Sequence, residues 1–185
     1  MKKIIIASFL CFFLLAFQEQ SKIYINNSVK ITLFSEAPLE NIEATSVKGI
    51  SVFNATTGEI QFTIPIKSLK FRKSLMEEHF NENYMESDTY PNAKFKGKIN
   101  QKIDLQKNGE FAVTATGELD VHGVKKSRTI TGTLTIDQRS INLNAKFNVL
   151  CADHRIKIPQ LVFQKIAESI QITVSGNYIP YKSSK

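Results

Sequence analysis

The sequence predicts an all-β protein: one antiparallel sheet of about eight strands, closed into a barrel and accompanied by one short α-helix. Three observations carry this prediction. Apolar and polar residues alternate with a period of two along most of the chain beyond residue 22, as half-buried strands require. The runs are separated by short polar or glycine-bearing segments, and links that short join antiparallel neighbours, since parallel pairs need long crossovers. Helical spacing occurs only over about 74–84. An up-and-down order of this kind can close on itself and so remove the edges that invite aggregation.

The first segment stands apart from the fold. Lys2 and Lys3 precede a run from Ile4 to Phe17 that is apolar except for Ser8, and Gln18, Glu19 and Gln20 end it. That is the layout of a secretory signal peptide, with Ala16 the small residue best placed before cleavage. An uncleaved anchor is the alternative, although the run is short for a membrane span. The chain therefore divides into a leader at 1–16, one domain at 22–178 and a polar tail at 179–185, and the expected location is periplasmic or secreted. Cys11 belongs to the leader, which leaves Cys151 alone in the mature chain. No internal disulfide is then available, and an ordinary apolar core has to hold the domain together.

The strands follow in order. Val29, Ile31 and Leu33 alternate with Lys30 and Thr32, and Ile60, Phe62, Ile64 and Ile66 with Gln61 and Thr63. Phe95, Gly97 and Ile99 oppose Lys94, Lys96 and Lys98. Phe111, Val113, Ala115, Gly117, Leu119 and Val121 form a longer inward row. Ile130, Gly132, Leu134 and Ile136 come next, then Ile141, Leu143, Ala145, Phe147 and Val149, and finally Ile170, Ile172, Val174, Gly176 and Tyr178. Turns are expected at Asn54 to Gly58, Lys107-Asn108-Gly109, His122-Gly123 and Asp137-Gln138-Arg139. The helix opens on Ser74-Leu75-Met76-Glu77, read as a capping box with Ser74 as N-cap. Met76, Phe80 and Tyr84 give it one apolar stripe, and Tyr90-Pro91 turns the chain back to extended backbone.

Little in the sequence points to chemistry. His79, His122 and His154 are far apart, and none has a second ligand at metal-site spacing. His79 reads as a partly buried helix residue, and His122 as a turn residue bonded to backbone. No serine lies in a nucleophile elbow. Cys151 continues the inward phase of Phe147 and Val149 and reads as a small buried hydrophobe. No catalytic residue, metal site or cofactor is assigned. The formal charge of +7 is spread over strand lysines without clustered arginines or interleaved aromatics, which excludes a nucleic-acid surface. It is compatible with weak attraction to an anionic membrane. The sequence does not indicate an oligomeric state.

Two motifs resemble the YceI-like family. Glu78-His79-Phe80 followed by Tyr90-Pro91-Asn92-Ala93-Lys94-Phe95 is similar to the family's helix and its Tyr-Pro-x-x-x-Phe strand start. Gly117-Glu118-Leu119-Asp120-Val121-His122-Gly123-Val124 is similar to its Gly-x-Leu-x-x-His-Gly-Val hairpin. The resemblance implies an extended, lipocalin-like barrel of the cell envelope, some of whose relatives enclose a polyisoprenoid chain. The chain departs from the family pattern at Phe71-Arg72-Lys73-Ser74, at Lys125-Lys126-Ser127 and in having no tryptophan.

Two functions are compatible with these features. In the first, the barrel is hollow and binds an apolar, lipid-like ligand of the polyisoprenoid class without catalysis. Its expected lining is Ile31, Leu33, Ile60, Phe62, Ile64, Phe95, Ile99, Phe111, Val113, Leu134, Leu143, Phe147, Ile172 and Val174. In the second, the inward rows interdigitate, and the protein is an exported structural or interaction module with a filled core. The inward Gly97, Gly117, Gly132 and Gly176 fit either: they leave space beside large neighbours, or they mark bends in coiled strands.

Overall fold

A computed structural model describes residues 22–36, 41–137, 140–158 and 168–181. The leader, much of the irregular stretch 156–168 and the end of the polar tail lie outside those residues. Nine strands are described: β1 (Ile23–Ser35), β2 (Ile42–Asn54), β3 (Glu59–Pro65), β4 (Lys70–Phe71), β5 (Asn92–Ile99), β6 (Gly109–Val121), β7 (Val124–Asp137), β8 (Ser140–Leu150) and β9 (Ser169–Pro180). All pairings are antiparallel. Because β1 pairs with both β2 and β9, eight strands close a barrel in the order β1-β2-β3-β5-β6-β7-β8-β9, with β4 added against β2. Among the described residues, the expected all-β barrel with one short α-helix is what forms.

Turn chemistry matches the sequence where it positions the hairpins. Val121 pairs with Val124 across His122-Gly123, and both turn residues have positive φ, 52° and 68°. That is the mirror-image turn whose twist suits a two-residue hairpin. A Cβ at Gly123 would also lie 2.6 Å from the Tyr90 ring. Between β2 and β3 the Asn54 Oδ1 accepts from the amides of Thr56 and Thr57 at 3.0 and 3.2 Å, and Gly58 takes φ 79°. The β5–β6 link is longer than the expected turn at 107–109. Residues 100–108 form a loop, and its Ile103 and Leu105 pack against the lower end of the barrel.

The structure differs from the sequence reading at β2, at the helix and at His79. The alternation that reveals other strands is inverted in β2. Ala44, Ser46, Gly49 and Ser51 face inward, while Val47, Ile50 and Val52 are 52%, 48% and 39% exposed. The helix α1 spans Ser74–His79 and continues as a π-helical turn, Phe80–Tyr84. Lys73 is its N-cap, not Ser74, and no side chain caps it. Glu77 does not close a capping box: its carboxylate accepts instead from the Phe71 amide at 3.3 Å and from the Lys70 ammonium. This ties α1 to β4, and Phe71 and Phe80 meet with ring centroids 4.9 Å apart. His79 is exposed, not partly buried.

The two ends of the barrel have different contents. At the lower end, where β1 begins and β9 stops, Phe53, Leu134, Ile136, Ile141 and Tyr178 are buried in one cluster. Tyr24 and Tyr178 each pack against Phe53 at 6.4 Å between centroids. The Tyr178 hydroxyl lies 2.6 Å from Ser51 Oγ, which in turn donates to the Gln61 carbonyl at 2.7 Å. The upper end is covered by α1 and the π-helical turn, and there the inward rows do not fill the space between them.

Candidate functional site

That unfilled space is a cavity of about 520 Å³ inside the barrel. All the residues expected to line it do so except Phe111 and Leu134. Those two sit in the packed lower cluster, Leu134 at 1% exposure. Phe111 and Leu134 share an inward phase with Val113 and Gly132, but each lies one inward position closer to the filled end.

The sequence reading missed the residues that roof the cavity. The Met76, Phe80 and Tyr84 stripe points into the barrel, joined by Met85, Ile66, Leu69 and Phe71. A helix with one apolar face above a barrel of unknown contents was the available signal. Val149, Cys151, Ile156 and Ile158 continue the wall on the opposite side. His79, Lys94 and Thr131 are the exposed residues among the lining, and His79 on α1 marks where the cavity meets solvent at the helix end.

Gly117 and Gly132 mark close approach between strands. A Cβ at Gly117 would lie 2.4 Å from the Gly97 Cα and the Lys96 carbonyl oxygen, and one at Gly132 would lie 2.6 Å from the Asn144 carbonyl oxygen. Both directions run into neighbouring backbone, so these glycines allow close strand approach. The small residues that line the space beside the large side chains are Ala93, Ala115, Ala145 and Gly132.

The electrostatics of the cavity are those of a dry apolar site. Burial raises the Cys151 thiol pKa, and nearby Glu168 adds to the effect. Burial also raises the Tyr84 phenol, with Cys151 contributing. Both groups are therefore neutral at ordinary pH. A thiol with a raised pKa is a poor nucleophile, and Cys151 acts as the small buried hydrophobe expected. Among the described residues, no three His, Cys, Asp or Glu side chains are placed to hold a metal ion.

His122 and His154 serve the frame of the site. His122 Nδ1 lies 3.2 Å from the His154 carbonyl oxygen, the backbone bond expected of it, and its Nε2 is 3.3 Å from Glu86 Oε1. His154, fully buried, places Nδ1 2.9 Å from the Val124 carbonyl oxygen. Tyr90 packs edge-on to His122 at 4.5 Å. The Tyr-Pro and His-Gly-Val motifs, distant in sequence, thus form one packed unit. It fixes the segment after the helix to the β6–β7 hairpin and so holds the roof in place.

Comparison with known proteins gives a consistent result. The family model described as YceI-like domain matches residues 21–178. The fold is similar to that of a polyisoprenoid binding domain from Saccharophagus degradans implicated in plant cell wall breakdown (TM-score 0.73, 14% identity, covering 88% of this chain and 100% of that one). It is also similar to Burkholderia cenocepacia BcnA (TM-score 0.68, 16% identity, 81% and 95% covered). The Campylobacter jejuni YCEI protein matches with TM-score 0.63 at 15% identity, covering 80% of this chain and 90% of that one. Identities this low show a shared fold. No curated protein matches the chain by sequence.

Proposed function

This chain belongs to the YceI-like domain family, and from that premise we propose that it is a non-enzymatic carrier of an apolar, polyisoprenoid-class lipid. The observation that carries the reading is the cavity of about 520 Å³ inside the barrel, lined almost wholly by aliphatic and aromatic side chains. A folded chain leaves such a space empty at a cost in lost contacts, and water gains little there because polar partners are few. Each methylene taken from water contributes about 0.8 kcal/mol. About ten of them, before ordering costs, reach the ~8 kcal/mol of a micromolar complex with no polar contact. The description of the Saccharophagus degradans domain as polyisoprenoid binding supports the ligand class. The filled-core alternative describes only the lower end.

The place of action is the cell envelope, the support being the Lys2-Lys3 pair and apolar run of the leader. Lys94, Lys96 and Lys98 are exposed on the outer face of β5 and fit weak attraction to anionic head groups, where such a cargo is exchanged. Native mass spectrometry of the protein as isolated, then after delipidation and incubation with a prenol, tests the carrier role. A stoichiometric adduct that returns on reloading is expected. A barrel that stays empty in both states would refute it, and recovery of the full chain in the cytoplasmic fraction would refute the location.

A further inference from the structure

The cavity stops partway down the barrel, and what stops it is well built. Ile60, Ile99, Val113 and Leu143 are the deepest lining side chains, and all are buried. Directly below them Leu134 and Tyr178 are each only 1% exposed, and neither touches the cavity. The Tyr178–Ser51 hydrogen bond at 2.6 Å ties this plug to β2, the strand on the far side of β1. The 100–108 loop closes the end beneath it with Ile103 and Leu105. At the level of this floor β7 and β8 are paired, Gly132 with Ala145 and Leu134 with Leu143.

The depth above this floor follows from the strands. The lining runs from Val113 to Val121 on β6 and from Leu143 to Cys151 across β8. At about 3.4 Å per residue that is ~27 Å of strand, or ~21 Å along the axis for strands tilted by about 40°. An extended prenyl chain advances about 5 Å per unit, four bonds of about 1.5 Å foreshortened by their angles. The depth therefore takes about four units. Volume gives a similar figure. At about 30 Å³ for each water-sized group in a liquid, the 520 Å³ cavity holds about seventeen chain carbons, between three and four prenyl units.

We propose that this floor is a chain-length stop. Resting on the carrier reading above, the barrel takes a single linear hydrocarbon chain whole up to about twenty carbons, and holds longer chains only with the remainder outside. The chemistry shared by a short prenyl chain and an acyl chain is the same, so both are tested.

The experiment displaces a fluorescent apolar probe from the full-length, delipidated protein with two series: prenols of increasing unit number, and saturated alcohols of increasing carbon number. Affinity is expected to tighten at least tenfold per added prenyl unit up to four units, and by less than threefold per unit beyond. A break in only one series identifies the class of chain. Ala115→Leu, which fills space above the floor, should move the break down by about one unit. Leu143→Ala, which opens the floor, should move it up. Affinity that climbs evenly through eight units would overturn the stop and leave the carrier standing. Failure of every chain to displace the probe would overturn both. The wild-type series decides the matter even if a variant does not fold.

Discussion

The Ser51–Tyr178 pair allows a stability prediction whose order, as well as its size, follows from the geometry. Ser51 has one hydroxyl proton, and it goes to the Gln61 carbonyl. Tyr178 must then be the donor to Ser51 Oγ. Tyr178→Phe removes that donor but leaves Ser51 bonded to Gln61, so it should cost about 1 kcal/mol, the net worth of one hydrogen bond. Ser51→Ala strands the tyrosine hydroxyl in a fully buried position and removes the donor to Gln61, and should cost about 2–4 kcal/mol. The double variant should cost less than the sum, because no hydroxyl is left stranded, giving a coupling of about 1–2 kcal/mol. Urea denaturation of delipidated protein measures all three, with an unchanged denaturant slope as the sign that unfolding is otherwise the same. A Ser51→Ala cost no larger than that of Tyr178→Phe, or strict additivity, would refute the assigned donor direction. The same pair predicts a pH dependence. Burial, the dominant cause, pushes the Tyr178 phenol far above its ordinary value of 10. Its contribution is fully present below that value and is lost as pH rises through the higher folded pKa. Wild type should therefore lose more stability above about pH 10 than Tyr178→Phe does.

Gly117→Ala places a methyl against the Gly97 backbone and should destabilise by about 1–3 kcal/mol in thermal melts with or without lipid; an unchanged melting temperature would contradict the close strand approach. The Cys151 thiol, buried and raised in pKa, should react slowly with a thiol reagent in native protein. Loading the cavity should slow it further, a readout of occupancy that needs no activity. Hydrogen bonding from Lys70, the largest cause, and from the Phe71 amide lowers the Glu77 pKa from 4.5. Its contribution is present above that value and lost as pH falls through the folded pKa. Glu77→Gln should cost up to ~1 kcal/mol at neutral pH, as befits a pair with a solvent-exposed partner, and flatten the acid limb of the stability profile.

The parts of the fold legible in the sequence were those where burial and apolarity coincide. The rows of β5 to β9 alternate as strands with one wet face do, and His122-Gly123 announced its turn by residue type. β2 was not legible because its meaning is reversed: Ser46, Gly49 and Ser51 turn inward, and Val47, Ile50 and Val52 turn out. Inward serines there serve hydrogen bonds, Ser51 to Tyr178 and Ser46 to Ser68. Alternation shows which face a residue takes but not how far down the barrel it sits. Phe111 and Leu134 could not be separated from Val113 for that reason, since axial depth depends on register across several strands. Ser74 and Glu77 had capping-box spacing, yet the Glu77 carboxylate is taken by Lys70 and Phe71. A pairing with β4 residues is invisible to local pattern.

The closing seam governs how this wall comes together. β1 meets β2 through a local connection, but its other edge waits for β9, with Tyr24 opposite Pro180. Contacts so distant in sequence are entropically late. This seam is also imperfect: the β1–β9 ladder is interrupted between Ile25 and Lys30, and the β1–β2 register shifts on either side of Val29. The half-made barrel therefore spends its folding time with two unpaired rims and a wet interior. Pairing of β1 with β9 is expected to come late in folding, after the local hairpins have formed.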